Sequence, residues 1–323
     1  MRKLLREGLL KHLTINEVVA GNCGSHYTKQ FMFEEGENFD PFNHIDGGDE
    51  VITEPFDKSE DCVLSFQPGN AKLEWPYFSL PAGYTCPFAT VCKSFAAKAG
   101  QKFSDGTSIK QGKEAEFRCY AARAQAQYPS ANKSAFKNFD LLRDTNKEGG
   151  EVAMTQLIIK SFKHAGLEGT KVFRIHESGD FFSANYMKAW FEVAKTFPTT
   201  RFYAYTTSLE YWVSNRGSVP SNMKMIASMD KNNTEIIMSN NLRYSVVVYS
   251  AEQAGELGLK IDVDDSLAWG TDDNFALLLH GQQPKGSEAA EALKKIKSSG
   301  TGDKVKQLYK QNRAAKKDKL SKL

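Results

Sequence analysis

Three cysteines in one part of this chain have the type and spacing that could bind a metal. Cys86 and Cys92 bracket five residues in "AGYTCPFATVC", and 26 more residues separate Cys92 from Cys119 in "FRCYAARAQ". A structural zinc site usually takes four protein ligands, whereas a cubane cluster held by three cysteines leaves one iron open to another ligand. The stiff loop that Pro87 predicts would suit a cluster such as a [4Fe–4S] cubane, whereas the spacing alone leaves a cluster, zinc and three merely packed thiols open.

Two further side chains are candidates for a fourth metal ligand. His280 ends the apolar run "FALLLH", and Cys62 stands where the acidic N-terminal stretch gives way to β-prone sequence. The chain has five cysteines, an odd number that does not resemble a dense disulfide framework. This cysteine usage fits a reducing cytoplasm, where thiols stay available for metal binding.

The composition predicts a soluble protein that is long enough to be an enzyme. Its 323 residues are 41% hydrophobic and 25% charged, which is typical of globular domains. No run of about 18 apolar residues could cross a bilayer, so we expect no membrane partner. The N-terminus "MRKLLREGLLKHL" lacks the continuous apolar core of a secretion signal.

The net charge of +3 is unevenly distributed along the chain. From Lys285 to the end there are twelve Lys and Arg against four Asp and Glu, which leaves the preceding part acidic. A solvated lysine-rich tail and a tail that contacts nucleic acid are both consistent with this pattern.

A repeated alternation of β-rich runs and helical segments follows residue 150 and predicts a mainly parallel sheet. With a first strand in "YFSLPAG" there are about six strands, which predicts an α/β partial (βα) barrel, with an open doubly wound sheet as the competitor. We expect an N-terminal helix and irregular elaboration over 1–61, a barrel-like core carrying the cysteine site over 62–285, and a basic helical tail over 286–323. The predicted strands are 77–83, 171–180, 201–208, 223–230, 244–250 and 275–281.

Polar residues cluster where these strands end, and ligands gather at the carboxyl ends of parallel strands. In "KVFRIHESGD" the two-residue period puts Arg174, His176 and Ser178 on one side of the strand, so the first two should point into the barrel. Asp180 could bind a ligand amine or a metal, or cap the next helix. The predicted ligand-binding residues are Arg174, His176, Ser178, Gly179, Asp180 and Tyr205.

Several stretches resemble a phage protein family known as gene product eighty-eight. They are "SLPAGYTCPFATVC", "FRCYAARAQAQYP", "FRIHESGDFFSANYMKAWFEVAK" and "FYAYTTS", and "DDSLAWGTDDNFALLLHGQQPKGSEA" is similar to the marine phage members. The resemblance covers about residues 62 to 290. It implies a bacteriophage protein that acts in the cytoplasm of the infected bacterial host.

A more distant similarity links the cysteine loop ending in "CYA" and the Ser-Gly-Asp motif to radical S-adenosylmethionine enzymes. That resemblance implies a [4Fe–4S] cluster on Cys86, Cys92 and Cys119, with adenosylmethionine at the open iron and its amino group held by Ser178-Gly179-Asp180. The sequence departs from the compact CxxxCxxC pattern of those enzymes through the long insertion before Cys119.

Two functional hypotheses of different classes follow from these observations. The first is a radical-type enzyme in which a reductant delivers an electron to the cluster and a small molecule at the open iron is cleaved. The second is a nucleic-acid-binding or assembly protein whose cluster, or zinc, is structural or redox-sensing and whose basic tail contacts phosphates.

Overall fold

The computed structural model describes residues 62–70 and 73–300. The predicted N-terminal elaboration over 1–61 lies outside the described residues, as does the basic tail from residue 301 onward. The first part of the predicted tail is described and forms a helix, Glu288–Ser298.

Seven parallel strands form one sheet with the order β1-β4-β5-β6-β7-β9-β8. All six predicted strands are present, so the prediction of a mainly parallel α/β fold is confirmed. Strand β8 was not predicted because its three residues are too few to show a hydrophobic period. The strands are β1 Tyr77–Ser79, β2 Ser94–Ala96, β3 Ile109–Gln111, β4 Val172–Ser178, β5 Arg201–Thr206, β6 Met223–Met229, β7 Tyr244–Val248, β8 Lys260–Asp262 and β9 Phe275–Leu278.

The crossover connections of the sheet are helical. Helix α2 is interrupted at Gly149 and Gly150, whose backbone angles are not helical, so it comprises two helical segments joined by a kink. Among the described helices, none combines the length and apolarity needed to cross a bilayer. The helices are α1 Tyr120–Gln127, α2 Pro129–His164, α3 Ala184–Thr196, α4 Leu209–Ser214, α5 Thr234–Ser239, α6 Ala251–Glu256, α7 Ser266–Gly270 and α8 Glu288–Ser298.

The core has two layers, one on each face of the sheet. Helices α2 and α3 cover one face through a large aromatic cluster in which Trp190 stacks on Phe173 with ring centroids 5.8 Å apart. On the other face, Trp75 and Trp269 pack against Tyr203 and Phe275. Because both faces are covered, the strands are apolar on both sides, as is usual for parallel sheets. In the described residues β1 and β8 are the two ends of the sheet, and no pairing closes it into a barrel.

A small antiparallel hairpin, β2 with β3, lies between β1 and α1 in the chain. Gly83, in the loop after β1, approaches this hairpin so closely that an added Cβ would lie 2.5 Å from the carbonyl oxygen of Ser94. Its φ of +79° is also in the left-handed region that favours glycine. The hairpin is therefore held against the loop that carries Cys86.

A bulge in β4 changes which side of the sheet its residues face. Tyr77 of β1 lies opposite Arg174, yet Ser79, two residues further, lies opposite Ser178, four residues further. The extra residues interrupt the two-residue alternation. Arg174 consequently faces α7, whereas His176 lies on the α3 side, 3.0 Å from the Tyr186 hydroxyl. The prediction that Arg174 and His176 share one side is wrong for this reason.

Candidate functional site

The three free thiols of Cys86, Cys92 and Cys119, called here the thiol trio, lie at the carboxyl edge of the sheet, close enough to affect one another's pKa. Burial raises the pKa of the Cys92 thiol first, and the charges of Cys119 and Cys86 raise it further. Burial likewise raises the pKa of Cys86, and the charges of Asp180 and Cys119 raise it further. Each cysteine still keeps part of its surface exposed. Each thiol therefore lies within electrostatic range of the other two.

This arrangement is not a complete coordination shell. Across residues 62–70 and 73–300, no group of three or more His, Cys, Asp and Glu side chains is disposed to hold a metal ion. Metal binding by the thiol trio thus remains a prediction.

Two hydrogen bonds through one buried serine connect Cys92 to Cys119. Ser94 Oγ accepts from the Cys119 N–H at 3.1 Å and donates to the Cys92 carbonyl at 3.3 Å. Cys119 is the N-cap residue of α1, and the N–H groups of Ala121 and Ala122 lower its thiol pKa, although burial raises it by more. Backbone N–H groups at a helix start favour a thiolate over a thiol, so this end of α1 suits a negatively charged sulfur.

The Ser-Gly-Asp motif holds the loop that carries Cys86. Ser178 Oγ donates to the Leu80 carbonyl at 2.8 Å and accepts from Gln125 at 2.9 Å. Gly179 has φ +84°, and an added Cβ would lie 2.6 Å from both Leu80 Cβ and Thr85 Oγ1. Only a residue without a side chain permits this approach, so the motif fixes the chain immediately before Cys86.

Asp180 joins the ends of β4 and β5. Its Oδ1 accepts from the Phe181 N–H at 2.7 Å and from Thr206 Oγ1 at 2.6 Å. Its Oδ2 accepts from both the N–H and the hydroxyl of Thr207, each at 2.7 Å. Both oxygens are therefore engaged within the protein. Helix α3 is capped by Ser183 instead, which accepts from the Tyr186 N–H.

Lys93 and Glu177 lie beside the thiol trio and were not among the predicted site residues. Burial lowers the pKa of Lys93, while the charges of Cys86 and Cys92 raise it. Burial raises the pKa of Glu177, whose charge also raises the pKa of Cys119. Lys93 is one of many lysines in the sequence, and only the adjacent cysteines would have identified it.

A polar network lies on the face of the sheet that α7 covers. The carboxylate of Asp265 accepts from Arg174 Nη1 at 2.8 Å, from the Tyr203 hydroxyl at 2.7 Å and from the Tyr205 hydroxyl at 3.4 Å. Arg174 also donates to the Tyr120 hydroxyl at 2.9 Å, and its guanidinium lies 5.0 Å from the centre of the Tyr205 ring. Arg174 and Tyr205 thus contact each other and share Asp265, which pairs with the charge of Arg174 and accepts from the Tyr205 hydroxyl. Ligand binding by these residues stays a prediction.

His176 has a different environment from the one predicted. Its ring meets the edge of Phe181 at 4.7 Å and its Nε2 contacts the Tyr186 hydroxyl. Burial lowers the pKa of His176 to about 3, with a smaller effect from the charge of Arg174. The imidazole is therefore neutral and packs in the core layer beneath α3.

The two candidates for a fourth ligand lie in dissimilar settings. His280 is exposed in the loop after β9, where its ring packs on Tyr120 with centroids 4.9 Å apart and its Nδ1 is 3.1 Å from the Leu278 carbonyl. Cys62 is disulfide-bonded and so offers no free thiol. Of the two, His280 is the one on the same edge of the sheet as the thiol trio.

Fold and site together define a parallel α/β protein whose separate cysteine loops gather at the carboxyl edge of the sheet. Residues 57–301 of the 323 match the family described as Gene product 88, and the chain belongs to that family. The predicted resemblance to this phage family is thereby confirmed.

Curated relatives come from two mycobacteriophages. The Gene 88 protein of Mycobacterium phage D29 is 27% identical over 155 residues, which cover 48% of this chain and 55% of that protein. The Gene 88 protein of Mycobacterium phage L5 is 28% identical over 158 residues, which cover 48% of this chain and 56% of that protein. The chain thus spans little more than half the length of these relatives. No solved structure matches the chain significantly.

Proposed function

We propose that this bacteriophage protein binds a [4Fe–4S] cluster through Cys86, Cys92 and Cys119 and presents its open iron to a small molecule in the infected host. The observation that carries the proposal is the mutual proximity of three free, partly accessible thiols at the carboxyl edge of a parallel sheet, two from the loop after β1 and one at the start of α1. We also propose that the sheet is a partial (βα) barrel whose carboxyl edge carries the thiol trio. We further propose that the family includes marine phage relatives of this chain.

The surroundings of the thiol trio fit a negatively charged metal–thiolate group. Thiolates must lose their protons to bind a metal, and here burial opposes that loss. The ammonium of Lys93 and the N–H groups of Ala121 and Ala122 favour the thiolate form. A cluster would supply one-electron redox chemistry, while the protein's own groups would hold the sulfurs and balance their charge.

A radical-type reaction with S-adenosylmethionine is the finer form of this proposal. In it the adenosylmethionine amino and carboxyl groups would occupy the open iron. Asp180 is unsuited to hold the amino group because both of its oxygens accept hydrogen bonds from Phe181, Thr206 and Thr207. Glu177, which is close enough to Cys119 to perturb its pKa, is better placed to face a bound amine.

Anaerobic purification tests the cluster. We expect the full chain to absorb broadly near ~400 nm and to contain iron and acid-labile sulfide. Each of Cys86→Ala, Cys92→Ala and Cys119→Ala should lose this absorption, while Thr90→Ala, a change in the same loop that removes no sulfur, should keep it. A colourless wild-type protein with stoichiometric zinc would overturn the proposal, and so would colour that survives all three cysteine changes.

The uneven charge of the chain favours a second candidate function. Twelve basic residues against four acidic ones from Lys285 onward suit contact with nucleic-acid phosphates. In that case the full chain should bind nucleic acid in a salt-sensitive manner, and a chain ending at residue 300 should not. Salt-insensitive binding, or binding that survives the deletion, would rule this candidate out.

A further inference from the structure

At the start of α1, near Cys119, lie Arg118 and Arg123. In the described part of the chain neither forms an ion pair with a carboxylate. We propose that Arg118 and Arg123 form a binding site for the phosphate group of a small phosphomonoester at the carboxyl edge of the sheet. The site adjoins the thiol trio but does not need a cluster to be formed.

Arg118 has a buried side-chain nitrogen without a hydrogen-bond partner. It is half-buried, its Nε is shielded from solvent and has no hydrogen-bond partner, and no ion pair involving it is found among residues 62–70 and 73–300. Its guanidinium lies within electrostatic range of that of Arg123. A guanidinium that is partly desolvated next to a second one is unfavourable until an anion joins them.

The loop after β9 fixes the positions of both arginines. The side-chain amide of Gln283, which is 7% exposed, accepts from the Arg118 N–H at 2.7 Å and donates to the Arg118 carbonyl at 3.2 Å. Gln282 Oε1 accepts from Arg123 Nε at 2.8 Å. The backbone of one arginine and the side chain of the other are thus oriented by neighbouring residues, and the outer nitrogens of Arg123 are left for a ligand.

Three other arginines of the described chain have partners that Arg118 and Arg123 lack. Arg174 forms an ion pair with Asp265 at 2.8 Å, and Arg143 forms one with Asp140 at 3.1 Å. Arg243 donates to three backbone carbonyls, including those of Leu267 and Ala268. Arg118 and Arg123 have no such neutralising partner in the part of the chain described, so their combined charge is available.

A phosphate monoester is the ligand that fits two guanidinium groups. Guanidinium presents a planar fork of donors that matches phosphate oxygens in a bidentate manner, and such bonds are shorter and stronger than neutral ones. A phosphomonoester carries nearly two negative charges at neutral pH, enough to offset both arginines, whereas a carboxylate carries one.

Calorimetric titration of the full chain with inorganic phosphate tests the site. We expect binding by the wild-type protein and affinity at least about tenfold weaker in Arg118→Gln and in Arg123→Gln, equivalent to one lost charge-assisted contact. The matched control is Arg201→Gln, which removes the same charge from an exposed position at the opposite, amino end of β5 and should leave the affinity unchanged.

Parallel titrations separate the possible ligand sources. Acetate bound as tightly as phosphate would overturn the assignment to phosphate, and a single-stranded oligonucleotide that binds through the same arginines more tightly than phosphate would overturn the assignment to a small molecule. Failure of the wild-type protein to bind phosphate, or equal weakening in Arg201→Gln, would overturn the site itself. Iron content measured on the same arginine variants reports separately on the cluster, and we expect it to be unchanged.

Discussion

Replacing Gly179 with alanine should disturb both the stability of the protein and the position of Cys86. The new Cβ would lie 2.6 Å from Leu80 Cβ and 2.6 Å from Thr85 Oγ1, and φ at this position is +84°. Neither neighbour is the far end of a flexible side chain, so the loop itself has to move. Thr85 directly precedes Cys86, which means that the movement reaches the thiol trio.

The magnitude follows from two separable costs. A left-handed φ costs a non-glycine residue about 1–2 kcal/mol. Overpacking at a close contact adds about 1–3 kcal/mol. We therefore expect Gly179→Ala to lower the free energy of unfolding by about 3 kcal/mol or more. Gly258→Ala is the matched control, since φ there is +66° and nothing lies within 4 Å of an added Cβ, so it should cost only about 1–2 kcal/mol.

Urea unfolding of the two variants and the wild-type protein measures the difference. A lower midpoint with an unchanged slope identifies a loss of stability in the folded state. Cysteine alkylation of folded Gly179→Ala should also proceed at a changed rate, because the Cys86 loop is displaced. Equal destabilisation by both alanine variants would show that the close approach between Gly179 and the Cys86 loop does not exist, and would refute the reasoning.

Two further predictions concern charge. Lys93→Gln should slow alkylation of the metal-free thiol trio severalfold at pH 8, because the cation that favours the thiolates is lost. Lys102→Gln, in the nearby hairpin, should leave the alkylation rate unchanged. An equal effect of both variants would contradict a specific role of Lys93. Burial and, to a smaller extent, the charge of Asp265 raise the pKa of Asp262 to about 7. The folded protein therefore holds a proton that the unfolded chain releases, so stability should fall as pH rises from about 4 to about 7. Urea unfolding at pH 5 and pH 8 measures this fall in the free energy of unfolding. In Asp262→Asn the fall should be smaller by about 2 kcal/mol, roughly half of what three pKa units represent, whereas Asp273→Asn should leave it unchanged. A fall of the same size in both variants would exclude Asp262 as its source.

The parallel sheet could be predicted because its strands are long enough to carry a pattern. Strands β4 and β6 contain seven residues each and alternate with helices, which indicates parallel crossovers. Strand β8, with three residues and an aspartate at its end, has no such pattern. Whether the sheet closes depends on how its two edge strands meet, and no local sequence pattern reports that.

The site could be predicted only where residue type alone is informative. Cysteine is rare enough for three of them to mark a site, whereas Lys93 and Arg118 resemble every other cation in the sequence. The two-residue period of the sequence places His176 on the wrong side because the bulge in β4 depends on pairing with β1, which is remote in the chain. The Ser-Gly-Asp motif was expected to hold a ligand, but its hydrogen bonds and close packing hold the protein's own loops.

The most direct test of the central claim is an anomalous-scattering measurement at the iron edge on crystals grown without oxygen. The account predicts strong iron peaks within bonding distance of the sulfurs of Cys86, Cys92 and Cys119. A crystal in which these three sulfurs point apart, or in which iron is absent from between them although the purified protein contains it, would contradict the account.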